Sequence, residues 1–153
     1  MSISPLYRFK AEFPAKSINE GYARMVAAAF VSQLDPTVAD LADIKTAVSE
    51  AVTNSIVHGY HKHGENQTIT IVCTIEKTED SIGELHIEIA DNGCGIADVE
   101  LAQTPFYTTL GGDERSGMGF TIMQAFMHEF SVESELGKGT RVKMIKKIGV
   151  IEE

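Results

Sequence analysis

Apolar and polar side chains alternate, or β-branched residues cluster, in five stretches of the chain, and such patterns predict strands. In the first stretch Tyr7, Phe9, Ala11 and Phe13 alternate with charged residues, and Pro14 ends the strand. The other strands are predicted over residues 68–75, 85–89, 130–134 and 141–148. The short connections at 77–83 and 137–140 predict two hairpins, and therefore antiparallel pairs.

Two helices are predicted between the first two strands. The residues from Ser17 to Glu20 have capping-box spacing and open the first helix, which stops at Asp35-Pro36. Its expected buried stripe is Ile18, Tyr22, Met25, Val26 and Phe30.

The second helix is capped by Thr37, with Asp40 three residues later, and His58-Gly59 ends it. Its expected buried stripe is Leu41, Ile44, Val48, Val52 and Ser55.

The rest of the chain is less regular. Residues 60–66 predict a loop, 91–96 a turn, 98–102 a short helix, and 120–126 another. Residues 104–119 have no clean period and contain four glycines, which is typical of a functional lid. We therefore expect one α+β domain over residues 1–153, a two-layer sandwich with helices on one face of a mixed, mostly antiparallel sheet.

The charge and composition of the chain disfavour several classes of function. The 153 residues carry a net charge of −9, which disfavours direct contact with nucleic acid. No apolar run is long enough to cross a membrane, and residues 1–10 lack the apolar stretch of a signal peptide, so membrane and secretory functions are not expected. Cys73 and Cys94 have no metal-site or disulfide-scaffold spacing and are interpreted as small apolar residues, so a cytoplasmic location is expected.

Glu50 and Asn54 are the first candidates for chemistry. Their spacing of four places them one turn apart on one face of the second helix, away from its apolar stripe. They are either solvated surface residues or part of a covered site, where a carboxylate can act as a base and an amide oxygen can bind Mg²⁺.

Three glycine-containing segments complete the candidate set: Asp91-Asn-Gly-Cys-Gly95 after a strand, Ser116-Gly-Met-Gly119 before a helix, and Gly137-Lys-Gly-Thr140 in a late turn. Each alone is also compatible with an ordinary turn. None matches the Walker or dinucleotide-binding pattern.

Taken together, and in this order, these segments resemble the four boxes of the GHKL ATP-binding fold, shared by DNA gyrase B, the heat-shock 90 chaperone, sensor histidine kinases and MutL. The segments 50–60 and 114–123, with 28–36 and the Thr108-Thr109 pair, are similar to the anti-sigma F factors of spore-forming bacteria. The likeness extends from about residue 7 to 148. It implies a cytoplasmic homodimer that binds a sigma factor and uses ATP to phosphorylate a serine of an anti-anti-sigma factor.

The resemblance also implies roles for individual residues. Glu50 would be the catalytic base, Arg115 would face the terminal phosphate, and Asn54 would ligate Mg²⁺. Asp91 would accept from the adenine amino group, with Thr140 assisting through water. The other nucleotide-binding residues would be Gly93, Gly95, Thr108, Thr109, Ser116, Gly117, Met118 and Gly119.

One position departs from the family's pattern. Relatives commonly carry a basic residue after the Thr-Thr pair, whereas Leu110 stands here. Either one phosphate-facing charge is missing, or Arg115 and Lys138 compensate for it.

Three other functions share these motifs: a separate sensor-kinase module, a non-catalytic module in which ATP organises a partner surface, and a stress-response anti-sigma kinase. The first would need a phosphoacceptor helix pair in addition to these 153 residues.

For the partner surface we expect the first helix to contribute through Arg24, with Tyr22 and Met25 in the core.

Overall fold

The computed structural model describes residues 7–59, 67–80, 82–96, 103 and 119–150. All five predicted strands are found, as β1 (Tyr7–Pro14), β2 (Thr68–Lys77), β3 (Ile82–Asp91), β4 (Glu129–Glu135) and β5 (Gly139–Val150). They form one sheet in the order β1-β2-β3-β5-β4, and each neighbouring pair is antiparallel. The two predicted hairpins, β2–β3 and β4–β5, are therefore confirmed.

Among the described residues, three α-helices accompany the sheet: α1 (Ile18–Val31), α2 (Val38–Asn54) and α3 (Gly119–Phe126). A 3-10 turn, Ser32–Leu34, follows α1, and a π-helical turn, Ser55–Gly59, extends α2 to the predicted end. Along β2 and β3, buried residues alternate with partly exposed ones. The buried apolar residues pack with the helices in one core. The expected α+β class is confirmed.

The predicted caps of the two long helices have different outcomes. At α2, Asp40 N–H donates to Thr37 Oγ1 at 3.0 Å and the reciprocal bond is present, so this capping box is confirmed. At α1 the capping box is wrong. Ser17 has helical dihedral angles and makes no side-chain cap bond, and Glu20 instead accepts from Arg24 at 2.9 Å.

The buried stripe predicted for α1 is wrong at three of its five positions, whereas Val26 and Phe30 are partly buried. Its buried residues are Ala23, Ala27, Ala28 and Val31. Ile18, Tyr22 and Met25 are 82%, 50% and 57% exposed. Small side chains let the helix backbone approach its neighbours closely, so the larger apolar residues face outward. The α2 stripe is largely as predicted: Ile44, Val48, Val52 and Ser55 are buried and Leu41 is partly buried.

Several expectations fall outside the described residues: the loop at 60–66, the short helix at 98–102 and most of the proposed lid at 104–119. In the described part of the chain, none of the helices is both long and apolar enough to cross a bilayer.

Candidate functional site

Asp91 ends β3 as a buried carboxylate that is 7% exposed. Ser55 Oγ, in the turn after α2, donates to Asp91 Oδ2 at 2.8 Å, and the Gly93 amide donates to Oδ1 at 2.9 Å. Burial raises the pKa of Asp91, while the bonds from Gly93, Ser55 and Thr140 oppose that rise. The carboxylate is thus held by several hydrogen bonds at the end of the middle strand of the sheet.

The sheet register places Thr140 beside Asp91. Asp91 on β3 is paired with Thr140 on β5, and Thr140 is paired with Ser134 on β4. The hydroxyl oxygens of Ser134 and Thr140 lie 2.8 Å apart. Three oxygen-bearing side chains therefore form a row across three adjacent strands, and two of them are predicted to recognise adenine.

Two glycines let the β4–β5 turn approach the 91–96 turn. Gly95 has φ +76° and Gly139 has φ +116°, and a Cβ at either position would overlap a backbone carbonyl, that of Glu135 or Asp91 respectively. The Gly137 amide also donates to the Cys94 carbonyl at 2.7 Å. The close approach of the two turns thus explains why both positions are glycine.

Replacing Gly139 with alanine tests this close approach. We expect Gly139→Ala to lower the free energy of unfolding by about 3 kcal/mol, because the backbone strain and the clash with Asp91 add. Gly137→Ala is the matched control and should cost only about 1 kcal/mol, since Gly137 has φ +83° but a Cβ there would meet nothing within 4 Å. Urea unfolding measures both, and equal losses would contradict the steric argument.

Asn54 lies where the last turn of α2 meets the first residue of α3. A Cβ on Gly119 would come within 2.7 Å of Asn54 Nδ2 and 3.0 Å of Oδ1, so this glycine makes room for the carboxamide. The face of α2 that carries Asn54 is therefore covered. Glu50, one turn earlier, is partly buried, and neither residue is a freely solvated surface group.

The donor set fits Mg²⁺ bound together with phosphates. Asn54 supplies a neutral hard oxygen, and Mg²⁺ in nucleotide sites usually takes few protein ligands and fills its shell with phosphates and water. Among the described residues no cluster of three or more His, Cys, Asp or Glu side chains could hold a metal alone. Asn54 would hold the ion through its carboxamide oxygen.

The structure brings together Asn54, Asp91, Gly119 and Thr140 through a continuous set of contacts. Gly93 and Gly95 lie in the turn that follows Asp91. Arg24 lies on α1 and bonds to Ser49 Oγ at 3.3 Å on α2. The other predicted residues are outside the described part of the chain: Thr108, Thr109, Arg115, Ser116, Gly117 and Met118.

The suggested compensation by Lys138 stays a prediction. Lys138 lies in the β4–β5 turn and is 72% exposed, with Nζ 3.3 Å from Glu135 Oε1. An exposed pair of this kind stabilises little, so the ammonium group can move toward another anion.

Two residues that connect separate elements through hydrogen bonds were not predicted from the sequence. Ser134 carries no motif, yet its hydroxyl bonds to three groups. Lys146, 6% exposed, donates to Asp43 Oδ2 at 3.0 Å and to the Phe126 carbonyl at the end of α3 at 2.7 Å. The pattern of alternation marks Lys146 as an inward position of β5, and a charge there is the signal that could have found it.

The described histidine and cysteine side chains lie outside this chemistry. His86 contacts Glu76 and Glu84 on the sheet, and His128 accepts from the Lys147 amide at 3.0 Å. Neither is on a helix, as a histidine-kinase phosphoacceptor would be. Cys73 is buried as expected, which raises the pKa of its thiol to about 12, whereas Cys94 is only partly buried.

The chain is similar to known proteins over most of its length. Residues 13–146 match the family described as the histidine kinase-like ATPase domain. The chain is 51% identical to the anti-sigma F factor of Clostridium botulinum over 144 residues, which is 94% of this chain and 96% of that protein. It is 55% identical to the anti-sigma F factor of Thermoanaerobacter pseudethanolicus over 139 residues, 90% of this chain and 91% of the relative.

Solved structures share the fold at low identity. The RsbU and RsbW domains of Rv1364c from Mycobacterium tuberculosis match with a TM-score of 0.64 and 17% identity, over 97% of this chain and 34% of that one. Full-length ShkA in complex with AMPPNP matches with a TM-score of 0.54 and 18% identity, over 94% and 32%. This chain thus spans about a third of the length of either solved chain.

Proposed function

Because this chain belongs to the anti-sigma F factor family, within the histidine kinase-like ATPase domains, we propose that it inhibits a sporulation sigma factor and is also a protein serine kinase. Its substrates would be Mg-ATP and a serine of an anti-anti-sigma factor. Family membership supports an anti-sigma factor with a kinase-like, nucleotide-binding fold. The kinase reaction, the metal and the homodimer are the proposed additions, and the cytoplasmic location stays a prediction.

The observation that carries the proposal is the contact path that links the four candidate boxes. Gly119 packs on Asn54, and the next residue of that turn, Ser55, donates to Asp91. Asp91 is in turn paired with Thr140 across the sheet. Residues far apart in sequence thus meet, which supports a nucleotide site with an acceptor for adenine at one end and an amide oxygen for the metal at the other.

The proposed chemistry is a transfer of the γ-phosphoryl group. The partner's serine oxygen forms a bond to the γ-phosphorus, the bond from that phosphorus to the β–γ bridging oxygen breaks, and ADP leaves with the electron pair. Glu50 takes the proton of the serine hydroxyl. The bound Mg²⁺ supplies charge neutralisation at the phosphates, and Arg115 adds a positive charge at the terminal phosphate.

A transfer assay tests the proposal directly. The chain would be incubated with γ-labelled ATP, Mg²⁺ and the anti-anti-sigma protein of the same genome, followed by phosphoamino-acid analysis. Phosphoserine on the partner, lost when EDTA removes the metal, is the expected result. ATP binding without transfer would overturn the kinase function and favour a non-catalytic, nucleotide-gated binding module.

The outer face of α1 supports a partner surface. Ile18, Tyr22 and Met25 are exposed and spaced at helical intervals of four and three, so they form one apolar strip. Arg24 lies on the same helix and is 40% exposed, with Glu20 as its ion-pair partner. We propose that this apolar strip contributes to sigma binding and to the homodimer. Arg24, which bonds to Ser49 on the α2-facing side of the helix, would be the charged contact beside the strip.

Reversing the charge at Arg24 tests the partner surface. We expect Arg24→Glu to weaken sigma binding about tenfold or more in a pull-down or calorimetric titration, because an interfacial charge is inverted. The cost to the fold should be small, since the exposed pair with Glu20 stabilises by about 0.5 kcal/mol. Lys16→Glu makes the same charge change at an exposed position just before α1 and should leave binding unaltered. Equal losses in both variants would point to net charge rather than to Arg24.

A further inference from the structure

Ser134 is the meeting point of a hydrogen-bond network beside the proposed adenine site. Its Oγ accepts from the Ile96 amide at 2.7 Å, donates to the Gly139 carbonyl at 2.9 Å, and lies 2.8 Å from Thr140 Oγ1. Ile96 closes the turn that begins at Asp91, and Gly139 begins β5. One serine therefore connects the adenine-side turn with the strand that carries Thr140.

The chemistry of the partners fixes the direction of each bond. An amide N–H can only donate and a carbonyl oxygen can only accept, whereas a serine hydroxyl has one hydrogen and two lone pairs. The hydrogen of Ser134 is used by Gly139, and one lone pair is filled by Ile96. Thr140 must then donate its own hydroxyl hydrogen to the remaining lone pair of Ser134. Toward the nucleotide, Thr140 keeps only lone pairs.

We propose that Ser134 is a positioning residue that makes Thr140 an obligate hydrogen-bond acceptor and so sharpens selection of 6-amino over 6-oxo purine nucleotides. This inference rests on the proposed nucleotide site and adds to it. Asp91 and Thr140 together form an edge rich in lone pairs. At position 6, adenine brings amino hydrogens to such an edge, whereas hypoxanthine brings a carbonyl oxygen that meets other acceptors.

The test is the ratio of ATP to ITP affinity, measured by calorimetric titration in MgCl₂. The wild-type chain should prefer ATP. In Ser134→Ala the Thr140 hydrogen loses its acceptor and can turn toward the base, so the ratio should fall about fivefold. Ser134→Thr keeps the hydroxyl and should restore the ratio. Ser131→Ala, at an exposed position of the same strand, is the control and should leave both affinities unchanged.

A merely structural role of Ser134 predicts a different result. Loss of the Ile96 contact alone would weaken ATP and ITP equally, and an unchanged ratio in Ser134→Ala would overturn the inference. Thr140→Val should lower the ratio by itself, and adding Ser134→Ala to it should lower the ratio no further, because Ser134 acts through Thr140. Should Ser134→Ala fail to fold, an unchanged ratio in Thr140→Val would overturn the inference.

The same measurements separate this inference from the proposed function. A wild-type chain that binds neither nucleotide would overturn both. A wild-type chain that binds ATP in preference to ITP, with the ratio kept in Ser134→Ala, would overturn only the role of Ser134.

Discussion

Glutamine in place of Glu50 is expected to reduce serine phosphorylation by about 10²- to 10⁴-fold, the usual contribution of a general base. The substitution keeps the size and helix preference of the side chain but removes its ability to take a proton. Because Glu50 is one helical turn from Asn54 rather than at the adenine end, ATP affinity should change by less than about threefold. Single-turnover transfer and equilibrium ATP binding, measured on the same preparation, give the two numbers.

The matched control for this prediction is Glu12→Gln, which makes the same chemical change at an exposed position of β1. It should transfer phosphate at the wild-type rate. Full activity in Glu50→Gln would exclude Glu50 as the base. A parallel loss of ATP binding would instead assign Glu50 to holding the nucleotide.

Asparagine in place of Asp91 is expected to weaken ATP binding about 30- to 100-fold, which corresponds to the loss of one hydrogen bond to a charged acceptor. The carboxylate is held by Ser55 and Gly93 and is almost inaccessible to solvent, so water cannot replace the lost acceptor. Asp43→Asn, on the sheet-facing side of α2 next to Lys146, serves as a control for a general loss of stability. Unaltered ATP affinity in Asp91→Asn would remove this residue from the nucleotide site.

Because the pKa of Asp91 is raised, the effect of Asp91→Asn on stability and on ATP binding should depend on pH. A carboxyl group whose pKa is higher in the folded state binds more protons there, so its contribution to the free energy of unfolding falls as pH rises above the ordinary value of 3.8. Wild-type stability minus that of Asp91→Asn should therefore decrease from pH 4 toward neutrality, as urea unfolding would show. ATP binding should follow the opposite trend and weaken as acid protonates the acceptor.

Sequence reasoning succeeded where local chemistry decides the structure. The capping box of Thr37 and Asp40 needs only residues three apart, and the alternation along β2 and β3 needs only one buried face. The α1 stripe was wrong because a helix whose inward residues are alanines packs by close approach rather than by large side chains. The hydrophobic periodicity of a sequence indicates which helix face is apolar. It does not indicate whether that helix packs through small or through large side chains.

The candidate site was predictable only as far as its motifs. Asp91 and Thr140 could be named from the resemblance of their segments to a known family, but their pairing across β3 and β5 depends on the strand order. Ser134 carries no motif, and the alternation along β5 marks only the inward position of Lys146, because the partners of both residues are brought close by the fold. Lys146, for example, bonds to Asp43, 103 residues earlier in the chain.

The strand order also has a consequence for how the protein is made. β5 is the last strand in sequence, but it lies between β3 and β4 in the sheet. During synthesis, β4 emerges before the strand that joins it to the sheet, so its backbone hydrogen bonds must wait for β5. Thr140 enters the site at the same moment. A nascent chain therefore gains the proposed nucleotide site only when β5 has been made, and ATP would favour folding only after that step.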